Sequence, residues 1–215
     1  KNISYINSTN ILSELSEKYG TDKGFINIDS KKPYSWMPHS YTSYYHSIFG
    51  LSRENIKLIF ECGIGTNNLE IKANMTKNAS PGASLRMWRD YFINADIYGG
   101  DIDKNILFGE ERIKTFFVDQ LNTNSIKSMW EKINLENFDI IIDDGLHDPK
   151  ANLNFFFNSF NKVKKNGIYI IEDVSNQNIN FMQKELKNYE TEIVTLSNKH
   201  KKIYNDNNLV IVRKN

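Results

Sequence analysis

From Ile56 onward, short apolar runs alternate with amphipathic stretches. Seven runs, "KLIFECG", "DIYGGDID", "KTFFVDQ", "FDIIIDD", "GIYIIEDV", "TEIVTL" and "LVIVR", read as strands. Between most of them lie "SLRMWRDYF", "SIKSMWEKI", "NLNFFFNSFNKV" and "NFMQKELKNY", which read as helices with one apolar face. Near-continuous apolar strands separated by helices predict a mostly parallel sheet covered on both faces, a doubly wound α/β architecture. The polar segment "NKHKKIYNDNN" between the last two strands predicts a hairpin that closes the sheet with an antiparallel strand.

The first fifty residues follow a different pattern. "NILSELSEKYGTDKG" predicts a helix with Ile11, Leu12, Leu15 and Tyr19 on one face and Gly20 as its stop. "FINIDSKKPYSWMPHS" holds two prolines and no clear period, which predicts a loop, and "YTSYYHSIFGL" reads as a second helix with its aromatic side buried. Residues 1–50 are therefore expected to form a helical N-terminal cap on one compact unit, residues 51–215.

Composition narrows the function classes. At 215 residues one sizeable core is expected, and 40% hydrophobic with 25% charged residues is ordinary for a globular chain. A formal charge of +1 offers no global field for nucleic acid or an anionic membrane surface, so neither is expected as a partner. The single cysteine, Cys62, excludes an intramolecular disulfide and suits a reducing cytoplasm. No apolar run approaches the length of a membrane span, and no secretory signal pattern is visible. The first residue is Lys1 rather than Met, which leaves a preceding segment open, and the oligomeric state is equally open.

Open parallel sheets bind ligands beyond the carboxyl ends of their strands, and here the first five strands end in Gly, Asp or Glu. In "FECGIGTNN", Gly63 and Gly65 allow a sharp turn and close approach of backbone to a ligand, although a plain strand-to-helix turn would use the same glycines. Glu61 fits a buried, hydrogen-bonded role or a place beside the ligand. Asp101, with Asp103 as the alternate, is placed to accept both hydroxyls of a ribose, and Asp119 ends the third strand where an adenine amino group would lie. Each of these aspartates would also serve as a helix N-cap. Asp148, just before Pro149, reads as one. His46 and His200 have no partner pattern and read as structural or exposed.

"FECGIGTNN", "GASLRMWRDYFINADIYGGDID", "FFVDQ", "FDIIIDDGLHDPKANLNFF" and "GIYIIEDV", taken in order, resemble the class I S-adenosylmethionine-dependent methyltransferases with their Rossmann-like sheet. More narrowly, they resemble the metal-dependent sugar O-methyltransferases that act on macrolide sugars and bacterial surface saccharides. "KYGTDKG" and "HSYTSYYHSIF" look like that group's N-terminal segment, so the similarity runs from about Lys18 to Asp173. The resemblance implies that Gly63 and Gly65 underlie the methionine part of S-adenosylmethionine, with Asp101 at the ribose and Asp119 at the adenine. It implies Asp144 as a metal ligand, His147 as general base, and Glu172 and Asp173 as further ligands of Mg²⁺ or a similar cation. Asp143 is expected to face the cofactor or to make structural hydrogen bonds, and His39, Tyr41 and Tyr45 to line the acceptor pocket, bind the cofactor carboxylate or pack in the core.

The chemistry of these residue types agrees. A hard divalent ion prefers several oxygen ligands and retains exchangeable positions for hydroxyls. A hydroxyl on such an ion loses its proton more easily, and an imidazole is poised to take it near neutral pH. The expected activity is Mg²⁺-assisted O-methylation of a sugar hydroxyl in a surface polysaccharide or glycoside precursor. The alternatives are a small phosphorylated or natural-product acceptor, or a non-catalytic nucleotide- or sugar-binding partner. A dehydrogenase is disfavoured because the glycine loop lacks the full G-x-G-x-x-G pattern.

Overall fold

A computed structural model of the chain describes residues 2–4, 9–27, 29–197 and 205–215. His200 and most of the expected turn around it lie outside the described residues. The strands are β1 (Asn2–Ser4), β2 (Leu58–Cys62), β3 (Asp96–Asp101), β4 (Gly109–Glu110), β5 (Ile113–Phe117), β6 (Phe138–Asp143), β7 (Val163–Ile171), β8 (Glu190–Ser197) and β9 (Asn208–Arg213). The helices are α1 (Ile11–Tyr19), α2 (Tyr41–Phe49), α3 (Ala83–Tyr91), α4 (Thr123–Ile133), α5 (Pro149–Ser159) and α6 (Ile179–Glu185).

All seven strands read from the pattern form, and β1 and β4 are additional, so the sheet has nine strands among the described residues rather than seven. Strands of three and two residues are too short to carry a recognisable alternation. The order across the sheet is β1-β8-β9-β7-β6-β2-β3-β5-β4. β9 runs antiparallel to both β7 and β8, β4 runs antiparallel to β5, and the remaining pairings are parallel.

Alternation within the strands divides the core in two. Ile59, Ile97, Ile140, Ile142, Ile168 and Ile170 face one side, where they meet Leu85 and Trp88 of α3. Phe60, Tyr98, Ile141, Tyr169 and Ile171 face the other, where Met129 and Trp130 of α4 and Phe155 and Phe156 of α5 cover them. Each such side chain, fully buried, contributes about 1.5–3 kcal/mol relative to exposure. The N-terminal helices are part of the first layer: Leu12 of α1 and Tyr41, Tyr45 and Phe49 of α2 belong to the same apolar cluster as the isoleucines. α1 is bounded by Asn10, whose side chain accepts from the Leu12 and Ser13 amides, and by Gly20 in the left-handed region at φ 75°.

The chain leaves β2 toward β3 on one side and later returns to β6 on the other. The strand order therefore reverses beside β2, and a crevice opens at the carboxyl ends of β2 and β6.

Candidate active site

The turn after β2 is held from both neighbours. The Gly63 amide donates to the Gly100 carbonyl at 2.8 Å, and the Asp144 amide donates to the Cys62 carbonyl at 2.8 Å. Gly63 and Gly65 adopt φ of 85° and 81°, a region costly for residues with a Cβ. A cavity of about 430 Å³ opens above this turn, and Gly63, Gly65, Asp101, Asp119, Asp144, His147 and Asp173 are among the residues lining it.

Asp101 accepts the Ile64 amide on Oδ2 and the Asp103 amide on Oδ1, each at 2.9 Å. Burial pushes its carboxyl above the ordinary range against these donors. Asp103, the alternate, is outside the cavity wall: it accepts from the Thr66 hydroxyl at 2.6 Å and from the Asn105 amide, capping a short 3₁₀ turn. Asp119 lines the cavity and accepts the Leu121 amide.

Two acids for which the sequence leaves open both a place beside the cofactor and a buried, hydrogen-bonded role are buried away from the cavity. Asp143 is fully buried, with Gln120 Nε2 at 2.5 Å and Asn152 Nδ2 at 3.0 Å, and burial pushes it up to about 6. As the last residue of β6 it points into the sheet–helix interior, so of the two roles considered for it the structural one is found. Glu61 is likewise fully buried, accepts from the Ser84 hydroxyl at 2.6 Å and pairs with Lys23 at 3.0 Å.

Asp144, His147 and Asp173 converge. One ligand atom from each lies within 4.8 Å of the others, on the cavity wall. His147 Nε2 is 3.3 Å from Asp144 Oδ1, and its Nδ1 is 3.6 Å from Asp173 Oδ2. His147 and Asp173 hold φ of 57° and 55°, so non-glycine residues in a sparsely populated conformation flank the cluster. Desolvation opposes charge on His147, but Asp173 and Asp144 outweigh it and hold its pKa at about 10 while both carboxylates keep their full charge. Burial also opposes charge on Asp144, but Lys23 and His147 hold that carboxyl well below its ordinary range.

Glu172, expected among the metal ligands, is not in this cluster. Its Oε2 meets Lys23 Nζ at 2.5 Å and its Oε1 accepts the Tyr45 hydroxyl at 2.5 Å, so both oxygens are engaged in the interior. Burial pushes it up to about 8 despite the lysine. Tyr41 donates to Asp173 Oδ1 at 2.6 Å, and His39 Nε2 lies 3.4 Å from the same oxygen. Tyr41 and Tyr45 are one helical turn apart on α2, so one face of that helix holds both acids of the Glu172–Asp173 pair. They support the site from behind and do not line the cavity.

Lys23 and Gln120 were not singled out in the sequence. Lys23 stands within the "KYGTDKG" stretch, but nothing local distinguishes a buried lysine from a solvated one. Gln120 follows Asp119 directly, and its Oε1 also accepts the Leu146 amide at 2.8 Å, tying β5's exit to the loop that carries His147.

The mostly parallel sheet with helices on both faces and an acid-rimmed cavity at its switch point has the fold of the class I methyltransferases. No protein-family model matches the sequence. In sequence the chain is related to sugar O-methyltransferases: it is 29% identical over 163 residues to the 8-demethyl-8-alpha-L-rhamnosyl tetracenomycin-C 2'-O-methyltransferase of Streptomyces olivaceus. It is 32% identical over 164 residues to the mycinamicin VI 2''-O-methyltransferase of Micromonospora griseorubida. These matches cover 76% of this chain but only 37% and 36% of the relatives, so the chain spans little more than a third of their length. The MycE methyltransferase of the mycinamycin biosynthetic pathway, in complex with Mg, SAH and mycinamycin VI, superposes with a TM-score of 0.67 at 23% identity over 97% of this chain and 54% of its own.

Proposed function

We propose that the chain is an S-adenosylmethionine-dependent, Mg²⁺-assisted O-methyltransferase acting on a sugar hydroxyl of a glycoside. The observation that carries this reading is that one cavity is bounded both by the Gly63–Gly65 turn with Asp101 and Asp119, and by the Asp144–His147–Asp173 cluster. A donor on the first set and an acceptor on the second would face each other across it. The name of the Streptomyces olivaceus relative specifies a rhamnosyl tetracenomycin-C acceptor, which favours a glycoside acceptor over a surface-polysaccharide precursor.

The donor set fits a hard cation. Asp144 and Asp173 offer carboxylate oxygens on one wall, and Mg²⁺ commonly takes one or two carboxylates and fills its remaining positions with waters or substrate oxygens. When bound there, the ion would acidify a coordinated sugar hydroxyl. His147 then has the role of base rather than ligand, because imidazole is a poor match for Mg²⁺. An ion held by Asp144 and Asp173 would offset the charge that holds the His147 proton, and so would bring the imidazole back toward its working range. Asp101 has lone pairs beyond those taken by the Ile64 and Asp103 amides, enough to accept a ribose diol. Asp119 is set for the adenine, and the Gly63–Gly65 turn is the stretch of cavity wall along which the methionine chain would lie. The contribution of the residues to rate is mainly positioning of hydroxyl and methyl group.

Calorimetry with S-adenosylmethionine, and transfer of its labelled methyl group to a rhamnosyl glycoside with and without Mg²⁺, test this directly. Binding together with Mg²⁺-dependent transfer is expected. Absence of binding would sink the methyltransferase reading, and transfer indifferent to EDTA would remove the ion.

A further inference from the structure

Asp144 presents its two carboxylate oxygens to two different cationic positions. Oδ1 faces His147 on the cavity side at 3.3 Å, and Oδ2 faces Lys23 Nζ on the interior side at 2.6 Å. The same ammonium lies 3.0 Å from Glu61 Oε1 and 2.5 Å from Glu172 Oε2. Lys23 is 2% exposed, Glu61 0% and Glu172 1%, so the ammonium and these two glutamates are closed to solvent. The other donors to these two glutamates are neutral, the hydroxyls of Ser84 and Tyr45.

Three carboxylates converging on one point make a cage that would suit a divalent ion if the lysine were absent. The lysine cannot easily withdraw. Its carbonyl accepts the Thr42 amide at 3.1 Å, and a Cβ on the next residue, Gly24, would lie 1.9 Å from the Thr42 hydroxyl oxygen, so the backbone here is pressed against α2. Withdrawal would also leave the buried Glu61 and Glu172 without a counter-charge, which is strongly unfavourable.

We propose that Lys23 is a resident cation that fills the inner cage of Glu61, Asp144 and Glu172, and so confines divalent-ion binding to the outer pair of Asp144 and Asp173, beside His147. The chain then takes up one ion, on the cavity side, with Asp144 shared between ammonium and metal. Lys23 is a positioning residue: it fixes Asp144 for the ion without touching substrate. The outer half of this inference rests on the metal site proposed above, and the inner half does not.

Two measurements test it, neither requiring turnover. Acetylation of the intact protein, read by mass spectrometry, is expected to leave Lys23 unmodified with or without saturating Mg²⁺ while exposed lysines react. Labelling of Lys23 on Mg²⁺ addition would mean that the ion takes the cage, and would overturn the proposal. Titration with Mn²⁺ followed by electron paramagnetic resonance should give one bound ion in the wild type and two in Lys23→Met. Equal stoichiometry in a folded Lys23→Met protein would overturn it as well. Should that variant not fold, the acetylation result on the wild type decides alone. If the wild type binds no Mn²⁺ yet keeps Lys23 protected without metal, the metal-assisted reading fails and the inner cage stands.

Discussion

A Cβ placed on Gly63 would lie 2.0 Å from the carbonyl oxygen of Asp144. The turn that would cradle the cofactor is thus pressed against the backbone of the residue that would hold the metal, and the two sites share one piece of rigid main chain.

Gly63→Ala should therefore damage both. A residue with a Cβ at φ 85° carries a conformational penalty of about 1–2 kcal/mol, and the clash with Asp144 adds to it. A stability loss of about 2 kcal/mol or more in denaturant unfolding is expected, with at least tenfold weaker S-adenosylmethionine binding. Wild-type affinity in this variant would mean that the cofactor does not lie over the turn.

Asp101 and Asp103 are separated by the structure although the sequence left them as alternates. Asp101→Asn should weaken S-adenosylhomocysteine binding about tenfold or more, since a charged acceptor on the cavity wall is lost. Asp103→Asn, which disturbs only the Thr66 contact and a 3₁₀ cap, should change it less than about threefold. Calorimetry on both variants reads the difference, and a reversed order would reassign the ribose.

His147 and Asp144 should fail differently. His147→Ala is expected to lower kcat by about 10²–10⁴ while Mg²⁺ affinity stays within a few-fold. Asp144→Asn should lose the ion itself. A His147→Ala protein that no longer binds Mg²⁺ would make the imidazole a ligand and leave the base unassigned.

Stability should fall with rising pH through one buried acid. The native-state pKa of Asp143 is pushed up to about 6 by burial, above the ordinary 3.8, so the folded protein holds this proton more tightly than the unfolded chain. The contribution is fully present below about pH 4 and lost as pH rises through 6, a change of about 3 kcal/mol. Asp143→Asn should flatten that part of the stability–pH curve of the metal-free protein, whatever its effect on absolute stability. An unchanged slope between pH 4 and 6.5 would place the titration elsewhere.

Much of this arrangement is written in local pattern. The seven principal strands and six helices follow from apolar periodicity and stop signals. The acids at Asp101, Asp119 and Asp144 fall at the cavity because a parallel strand always delivers its last residues to the same edge of the sheet. Where the pattern was silent, the missing information was nonlocal or finer than one residue. Asp143 and Asp144 are adjacent, yet one ends β6 facing the helices and the other begins the loop facing the cavity. Glu172 and Asp173 divide in the same way between Lys23 and His147. No periodicity announces that Lys23 pairs with Glu172 across 149 positions, because that meeting depends on how α1, α2 and the sheet pack together. Strand and helix are decided by neighbours along the chain. The partner of a buried charge is decided by which distant groups the packed layers leave within reach of it.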